Sequence, residues 1–156
     1  MTNIIFPDEQ ITANDLYFVC YMIERVARQL KQPNRYVVNG IGVAELRRLL
    51  SLANVLHCEN PMQVADDWIH DYELHPGTYD VTDVDPTLCE HIPTETQMGK
   101  VYKRLILSTS SKDEDWGAAI VRVYNHPICE TIDNYNSSAY YEPSPYIARC
   151  YFNGGF

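Results

Sequence analysis

The chain has 156 residues, of which 21 are acidic and 12 are basic, and its formal net charge is −9. This length suits one compact domain, and the acidic balance argues against general binding of nucleic acid, which needs a basic face. Apolar residues make up 46% of the chain, which excludes a largely disordered protein, and no run of about 18 apolar residues predicts a membrane span. We therefore expect one globular domain over residues 1–156.

The first half of the chain predicts three long helices. Apolar residues recur at the three-and-four spacing of an amphipathic helix over residues 12–31 and again over residues 43–56. Asn60 is a good N-cap and Pro61 a good first helical residue, so a third helix begins there. Residues 1–11 predict an extended arm that docks through its apolar side chains.

Two features of the first half are less regular. Residues 34–39 fit either a short helix or a strand, because Gly40 and Gly42 interrupt the pattern directly afterwards. The first helix also carries a basic edge near its C-terminal end, which we expect to be solvated. This edge consists of Arg25, Arg28 and Lys31.

The second half predicts an ordered loop followed by further helices. Residues 78–93 form an acidic loop, and the capping-box pattern of Thr94 and Gln97 then begins a long helix. A second such pattern, Ser111-x-x-Glu114, precedes a helix at 113–125, a shorter helix follows, and Ser144 caps a last one. The aromatic C-terminal segment, residues 139–156, is expected to dock on the core. The sequence thus predicts an all-α domain of five to seven helices with one long acidic loop.

Negative charge is concentrated in residues 49–99, which contain ten carboxylates and no lysine or arginine. The ten are Glu59, Asp66, Asp67, Asp71, Glu73, Asp80, Asp83, Asp85, Glu90 and Glu95. Local charge of this kind is evidence about partners rather than about the fold. We expect basic residues beside the stretch to neutralise some of these acids: Arg47, Arg48, Lys100, Lys103 and Arg104. The acids of the loop, Asp80, Asp83 and Asp85, are therefore the candidate binding residues for a basic protein partner.

A different chemistry is suggested by His57, Cys58 and Asp66. An imidazole, a thiol and a carboxylate can serve as base, nucleophile and orienting group in a small hydrolase or transferase. The acidic surroundings disfavour the thiolate that this chemistry needs. Five cysteines without a C-x-x-C spacing predict reduced thiols in a cytoplasmic protein. Their spacing from histidines fits no common zinc module, and no glycine-rich phosphate loop is present, so we expect neither a metal ion nor a cofactor.

Five segments stand out together. They are NDLYFV at 14–19, HCENP at 57–61, VADDWI at 64–69, GKVYKRLI at 99–106 and DNYNSS at 133–138. In this order they resemble a family of small bacterial helical proteins of unknown function, from residue 12 onward. The part of the chain up to residue 75 also resembles a short helical domain of unknown function that is sometimes encoded beside toxin-like or ADP-ribosyltransferase-like proteins. The resemblance implies a bacterial, cytoplasmic, helical protein and assigns no catalytic residue.

Together these features predict a non-enzymatic protein-binding or regulatory module, in one version antitoxin-like, that uses an acidic face. The Cys/His-dependent hydrolase or transferase is one alternative. Another is an inhibitor that mimics nucleic acid by spacing carboxylates like phosphates and so blocks a DNA-binding protein.

Overall fold

The structure, a computed structural model, describes residues 1–156 and consists of eight α-helices with no β-sheet. In chain order they are α1 (Ala13–Leu30), α2 (Asn34–Ile41), α3 (Val43–Leu56), α4 (Pro61–Asp71), α5 (Glu95–Thr109), α6 (Trp116–Tyr124), α7 (Ile128–Ile132) and α8 (Ser144–Asn153). Two 3₁₀ turns, Tyr135–Ser137 and Ala139–Tyr141, connect α7 to α8. The all-α prediction is confirmed, although the helices exceed the predicted five to seven. None of them combines the length and apolar character that crossing a bilayer requires.

Helix α1 is the central element, and it packs against α2, α3, α4 and α5. Thr12 and Asp15 form a reciprocal capping box at its start, which satisfies backbone donors of the first turn. At the contact with α5, a Cβ added to Gly99 would lie 3.0 Å from the backbone of Tyr21. Glycine allows this close approach without displacing the backbone of α1. The backbones of α1 and α5 are therefore closely packed at this point.

The segment that fitted a helix or a strand is a helix. Residues 34–39 belong to α2, whose buried face is formed by Val37, Val38 and Ile41. Their spacing of three and four residues is that of one helical face. Gly42 then adopts φ +81°, a left-handed value that favours glycine, and so separates α2 from α3.

Capping residues fix the starts of α4 and α5 as predicted. The Asn60 side chain accepts a hydrogen bond of 2.9 Å from the backbone N–H of Met62, and Pro61 is the first residue of α4. Thr94 and Gln97 exchange the two hydrogen bonds of a capping box at α5. These local signals are short-range and self-contained, which is why they could be recognised in the sequence.

Capping differs from prediction at α6 and α8. The helix α6 begins at Trp116 because the Asp115 side chain accepts a hydrogen bond from the backbone N–H of Ala118. Glu114, expected in a capping box with Ser111, instead forms an ion pair of 2.7 Å with Arg122. At α8 the side chain of Ser144 makes no capping hydrogen bond.

The N-terminal arm is a closed turn rather than an extended strand. The backbone N–H of Ile11 donates to the carbonyl of Met1 at 3.1 Å, so the two ends of the arm meet. Buried Asn3 anchors it by donating to the backbone oxygen of Ser51 at 2.9 Å, while Ile4 and Ile5 remain exposed. Ile11 is buried in the core and Met1 packs against it, so apolar side chains dock the arm together with Asn3.

The acidic loop, residues 78–93, is held against the ends of neighbouring helices. The backbone N–H of Tyr79 donates to the carbonyl of Lys31 at 2.9 Å, and that of Asp85 donates to the Asn136 side chain at 2.9 Å. Cys89 is buried, and Val81 and Val84 pack against the core. The loop is thus anchored along its length, and it forms one wall of a cavity.

Candidate functional site

Eight of the ten carboxylates in residues 49–99 have no lysine or arginine partner. The exceptions are Asp80, whose carboxylate lies 3.1 Å from the Lys31 ammonium, and Glu95, which lies 3.9 Å from the Arg28 guanidinium. The other eight side chains are exposed, and we call them the acidic surface: Glu59, Asp66, Asp67, Asp71, Glu73, Asp83, Asp85 and Glu90. Most of the charge of this stretch therefore remains available on the outside of the protein.

The basic residues beside the stretch do not neutralise it, so that expectation was wrong. Arg47 pairs with Asp115, and Arg48 pairs with Glu45 at 3.2 Å. The cations on α5 make no ion pair; these are Lys100, Lys103 and Arg104. Arg48 does reach the stretch, where it donates a hydrogen bond of 3.3 Å to the Tyr72 hydroxyl, but none of these cations forms an ion pair with a carboxylate there.

Two carboxylates of residues 49–99 lie at the C-terminal end of α1. Gln29 donates a hydrogen bond of 3.0 Å to Asp66 on α4, and Lys31 donates one of 3.1 Å to Asp80 in the acidic loop. Because Gln29 and Lys31 are two residues apart, the carboxylates of α4 and of the loop lie at the same end of the central helix. Two separate segments thus each place a carboxylate at this end of the helix, and only Asp66 belongs to the acidic surface.

Two of the three predicted binding residues also hold the acidic loop in shape. Asp80 accepts hydrogen bonds from the backbone N–H and the hydroxyl of Thr82, at 2.9 and 2.6 Å, and Asp85 accepts the same pair from Thr87. The Thr82 hydroxyl and Lys31 lower the pKa of Asp80 to about 2. The Thr87 hydroxyl likewise lowers the pKa of Asp85. Both carboxylates therefore stay ionised at all ordinary pH values.

Asp83, the third, is different because its carboxylate accepts no hydrogen bond and forms no ion pair. It is exposed and lines a cavity of about 600 Å³ together with Asp80. Asp85 does not line this cavity. The structure thus brings Asp80 and Asp83 together at one wall, with Asp83 the member whose charge is free.

The cavity lies between the acidic loop, the start of α2, the end of α6, α7 and the first 3₁₀ turn. Its charged lining residues are Arg35, Asp80, Asp83, Glu130 and Asp133. Arg35, Asp83 and Glu130 are exposed and unpaired. A space of this volume is in the range of small-ligand sites, about 300–1,000 Å³.

Behind the cavity lies a buried polar network centred on Glu24, which is only 1% exposed. Its carboxylate accepts hydrogen bonds from the Tyr135 hydroxyl at 2.8 Å, Arg28 at 3.1 Å and the Asn34 amide at 2.7 Å. Arg28 also donates 2.7 Å to the carbonyl of Pro93. The expectation of a solvated basic edge is therefore wrong for Arg28, whose side chain is 13% exposed.

Asp133 links this network to the cavity. One of its carboxyl oxygens accepts a hydrogen bond of 2.6 Å from the Tyr102 hydroxyl. The other is 3.5 Å from the Asn34 amide nitrogen that also serves Glu24. Removal from water raises the pKa of Asp133 well above its usual value, and the negative charge of Glu24 raises it further. Asp133 thus has a raised pKa, and one of its oxygens has only the 3.5 Å contact with Asn34.

Tyr124 supplies an unsatisfied hydroxyl beside these groups. The residue is 2% exposed, lines the cavity, and stacks on Tyr102 with ring centroids 4.3 Å apart. Its hydroxyl is the one buried side-chain polar atom of the protein without a hydrogen-bond partner. The thiol of Cys20 is its nearby neighbour, and a thiol is a weak partner at best. Leaving a buried hydroxyl unsatisfied costs free energy.

Sequence reasoning missed Glu24 and Asp133, although Glu24 left a signal. It falls within the apolar stripe of α1 between Ile23 and Ala27, and an arginine follows at the i+4 position. A carboxylate on a buried helical face needs a partner, and that partner could have been sought. Asp133 offered no comparable pattern.

The three residues of the cysteine hydrolase alternative are not joined by hydrogen bonds. The His57 ring packs against Phe18 with centroids 5.0 Å apart, and the exposed Cys58 thiol lies 3.7 Å from the carbonyl of Asn54. Asp66 is engaged by Gln29. Nor does any group of three histidine, cysteine or acidic side chains lie in a position to hold a metal ion.

The fold and the site define an all-α protein with an acidic surface and a cavity at its edge. Comparison with protein-family models, with curated proteins and with solved structures finds no match. The resemblance to a family of small bacterial helical proteins therefore stays a prediction.

Proposed function

We propose that the protein is a non-enzymatic binding module whose acidic surface engages a basic partner protein. The observation that carries this proposal is the set of eight exposed carboxylates that no lysine or arginine of the chain neutralises. Unpaired charges of one sign attract an oppositely charged partner over a distance and increase its association rate. A surface built only for solubility has no need of the anchored loop that holds some of these charges in place.

The anchoring of the acidic loop favours specific recognition. Asp80 and Asp85 each bind the second residue after them, and the backbone of Asp85 binds Asn136. These contacts fix the loop before any partner arrives, which reduces the conformational entropy lost on binding. A basic surface of matching shape would therefore meet a rigid set of charges.

An antitoxin-like role is one form of this function, in which the basic partner is a toxin. It is supported by the family resemblance alone. An inhibitor that mimics nucleic acid would use the same carboxylates and differs only in its partner, a DNA-binding protein. We favour neither of these over a general basic partner, and we favour all three over the hydrolase, since His57, Cys58 and Asp66 are not connected.

A titration with an oligo-lysine peptide tests the proposal. We expect saturable binding of one peptide at about 0.01 M salt, where the Debye length is about 30 Å, and strong weakening at about 1 M, where it is about 3 Å. An oligo-glutamate peptide of equal length should not bind. Absence of saturable oligo-lysine binding at low salt would refute the proposed function.

A pair of charge-matched variants locates the binding. The first replaces four members of the acidic surface: Asp71→Asn, Asp83→Asn, Glu73→Gln and Glu90→Gln. The control replaces four exposed acids outside it: Asp8→Asn, Asp113→Asn, Glu9→Gln and Glu142→Gln. Both change the net charge equally, and we expect only the first to reduce the affinity by roughly tenfold or more. Equal losses in the two variants would show that overall charge, rather than this surface, attracts the peptide.

A further inference from the structure

A second, smaller pocket lies between α5 and the segment that leads into α8. It has a volume of about 230 Å³, and we call it the basic pocket. Lys100 and Arg104 line it from α5, while Tyr141 and Ser144 line it from the other side. No member of the acidic surface lines it, so it is separate from the region proposed to engage a basic partner.

The two cations of the basic pocket are not neutralised by the fold. Lys100 and Arg104 are four residues apart and so lie on one face of α5, and neither forms an ion pair. Glu142, the one acid that lines the pocket, is beyond ion-pair distance of both. Like charges at this spacing repel each other and destabilise a helix, whereas a bound anion is attracted by both. The pair is therefore better explained by a ligand than by the fold.

Uncharged side chains of the basic pocket supply further hydrogen-bond donors. The Gln97 oxygen accepts a hydrogen bond of 2.8 Å from the backbone N–H of Thr94, which leaves the Gln97 amide nitrogen without a partner in the protein. The Ser144 hydroxyl, half-buried at the start of α8, has no partner either. Donors that the fold does not use thus converge on one small pocket, whose only carboxylate is that of Glu142. The pocket suits a ligand whose oxygens accept several hydrogen bonds.

Apolar and aromatic side chains form the remaining wall of the basic pocket. Tyr141 is 81% exposed, and the Tyr140 ring packs edge-on against it with centroids 6.0 Å apart. Val101 and the buried Ile147 complete this wall. The volume of about 230 Å³ is below the range of sites that enclose a whole drug-sized ligand, about 300–1,000 Å³. The pocket is therefore large enough for an anionic group, and a ring attached to that group can stack on Tyr141 at the opening.

We propose that the basic pocket binds a phosphate monoester that is attached to an aromatic ring. Lys100 and Arg104 bind the phosphoryl oxygens, and the ring stacks on Tyr141. Gln97 and Ser144 supply further donors. A phosphate monoester carries about −1.5 to −2 charges at pH 7 and has three strong acceptor oxygens, so it matches two cations better than a carboxylate with its single charge. This inference goes beyond the proposed function and uses none of its residues.

Phenyl phosphate is the probe that tests the proposal, and its binding can be followed by NMR titration. At about 0.15 M salt the Debye length is about 8 Å, so distant carboxylates of the protein are largely screened from the probe. We expect saturable binding of one molecule, about threefold or more tighter than the binding of benzoate or of inorganic phosphate. Benzoate has a ring and one charge, and inorganic phosphate has no ring. Failure of phenyl phosphate to bind, or equally tight binding of either comparison anion, would overturn the proposal.

Two charge-matched double variants locate the binding. Lys100→Gln with Arg104→Gln removes both cations of the basic pocket, whereas Lys103→Gln with Lys112→Gln removes two unpaired cations that do not line it. Both pairs change the net charge equally. We expect the first to weaken phenyl phosphate binding by about tenfold and the second by less than about twofold. Equal losses would mean that the overall charge attracts the probe, and the assignment of the pocket would be wrong.

A further pair of variants tests the position of the ring. Tyr141→Ala should weaken the binding of phenyl phosphate by about threefold and leave that of inorganic phosphate unchanged, because only the former has a ring to stack. Phe152→Ala removes another exposed ring, on α8 and outside the pocket, and should alter neither. Full affinity for phenyl phosphate in Tyr141→Ala would contradict the stacking.

The same chemistry occurs in a phosphotyrosine side chain and in a nucleoside monophosphate. A phosphotyrosine peptide with uncharged neighbours and adenosine monophosphate distinguish the two sources, each compared with its unphosphorylated form. The tighter of the two identifies the source, and no gain from the phosphate in either would overturn the proposal. All these variants retain the acidic surface and should still bind oligo-lysine, so this proposal and the proposed function can fail separately.

Discussion

Glu24 and Asp83 are both carboxylates, yet Glu24 is surrounded by three hydrogen-bond donors and Asp83 by none. Glu24 is buried between α1, α2 and the segment after α7, where an unpaired charge would be very costly. Asp83 is exposed on a loop, and its carboxylate makes no hydrogen bond or ion pair that would stabilise the fold. The contrast distinguishes two kinds of carboxylate in this protein. The buried one is hydrogen-bonded and stabilises the interior, whereas the exposed one is unpaired and can bind a partner.

The largest effect is expected inside. Glu24→Ala removes the carboxylate to which Arg28, Asn34 and Tyr135 donate, and breaking a buried ion pair in this way costs about 3–5 kcal/mol. Urea unfolding measures the loss. The exposed acid Glu59 provides the control, since Glu59→Ala should change the free energy of unfolding by less than about 0.5 kcal/mol. Similar small changes in the free energy of unfolding for both variants would contradict the distinction between the buried network and the exposed acids.

A second effect should separate two stacked tyrosines. Tyr102→Phe removes the hydrogen bond of 2.6 Å to Asp133 and should cost about 1–3 kcal/mol. Tyr124→Phe removes a buried hydroxyl that has no partner, so the free energy of unfolding should stay the same or rise. The same urea experiment measures both. A marked loss in Tyr124→Phe would mean that its hydroxyl is satisfied within the fold.

The two regions should also respond oppositely to pH. The pKa of Asp133 is raised in the folded protein, so its contribution favours folding below its unfolded pKa and is lost as the pH rises through the folded value. The pKa of Asp80 is lowered from 3.8 to about 2, so its contribution is present above pH 3.8 and is lost as the pH falls towards 2. Unfolding at a series of pH values measures both slopes.

The variants Asp133→Asn and Asp80→Asn assign these slopes. The free energy of unfolding of Asp133→Asn should increase relative to that of the native protein as the pH rises above the ordinary pKa range of an aspartate. Asp80→Asn should reduce the dependence of stability on pH only in the acidic range, below about pH 3.8. Parallel curves for the native protein and Asp133→Asn would show that Asp133 does not titrate with an elevated pKa.

Much of the fold was predictable because its signals are local. The caps at Asn60 and at Thr94 with Gln97 fixed helix starts within a few residues, and the apolar stripes fixed the inward faces of α1 and α3. Prediction was less certain where a segment fits two alternative local structures. Residues 34–39 fitted either a short helix or a strand, and at α6 the pattern Ser111-x-x-Glu114 predicted a capping box where Asp115 caps the helix instead.

The site was less predictable because its contacts are long-range. Glu24 meets Asn34 ten residues away and Tyr135 more than a hundred residues away, so only the folded chain shows why a carboxylate can occupy a buried stripe. Asp80, Asp83 and Asp85 were proposed from composition, since an excess of charge can be recognised without knowledge of the fold, and their role in binding stays a prediction. The cavity could not be predicted from the sequence, because five separate segments form its walls.

The most direct test of the account compares single neutralisations at Asp83 and Asp8, two exposed acids without ion pairs. We predict that Asp83→Asn weakens oligo-lysine binding by about two- to fivefold, as one exposed charge pair is worth up to about 1 kcal/mol, and leaves urea unfolding unchanged. Asp8→Asn should alter neither. Equal affinities in the two variants, or a loss of stability in Asp83→Asn, would contradict the claim that the unpaired carboxylates of this protein are reserved for a partner.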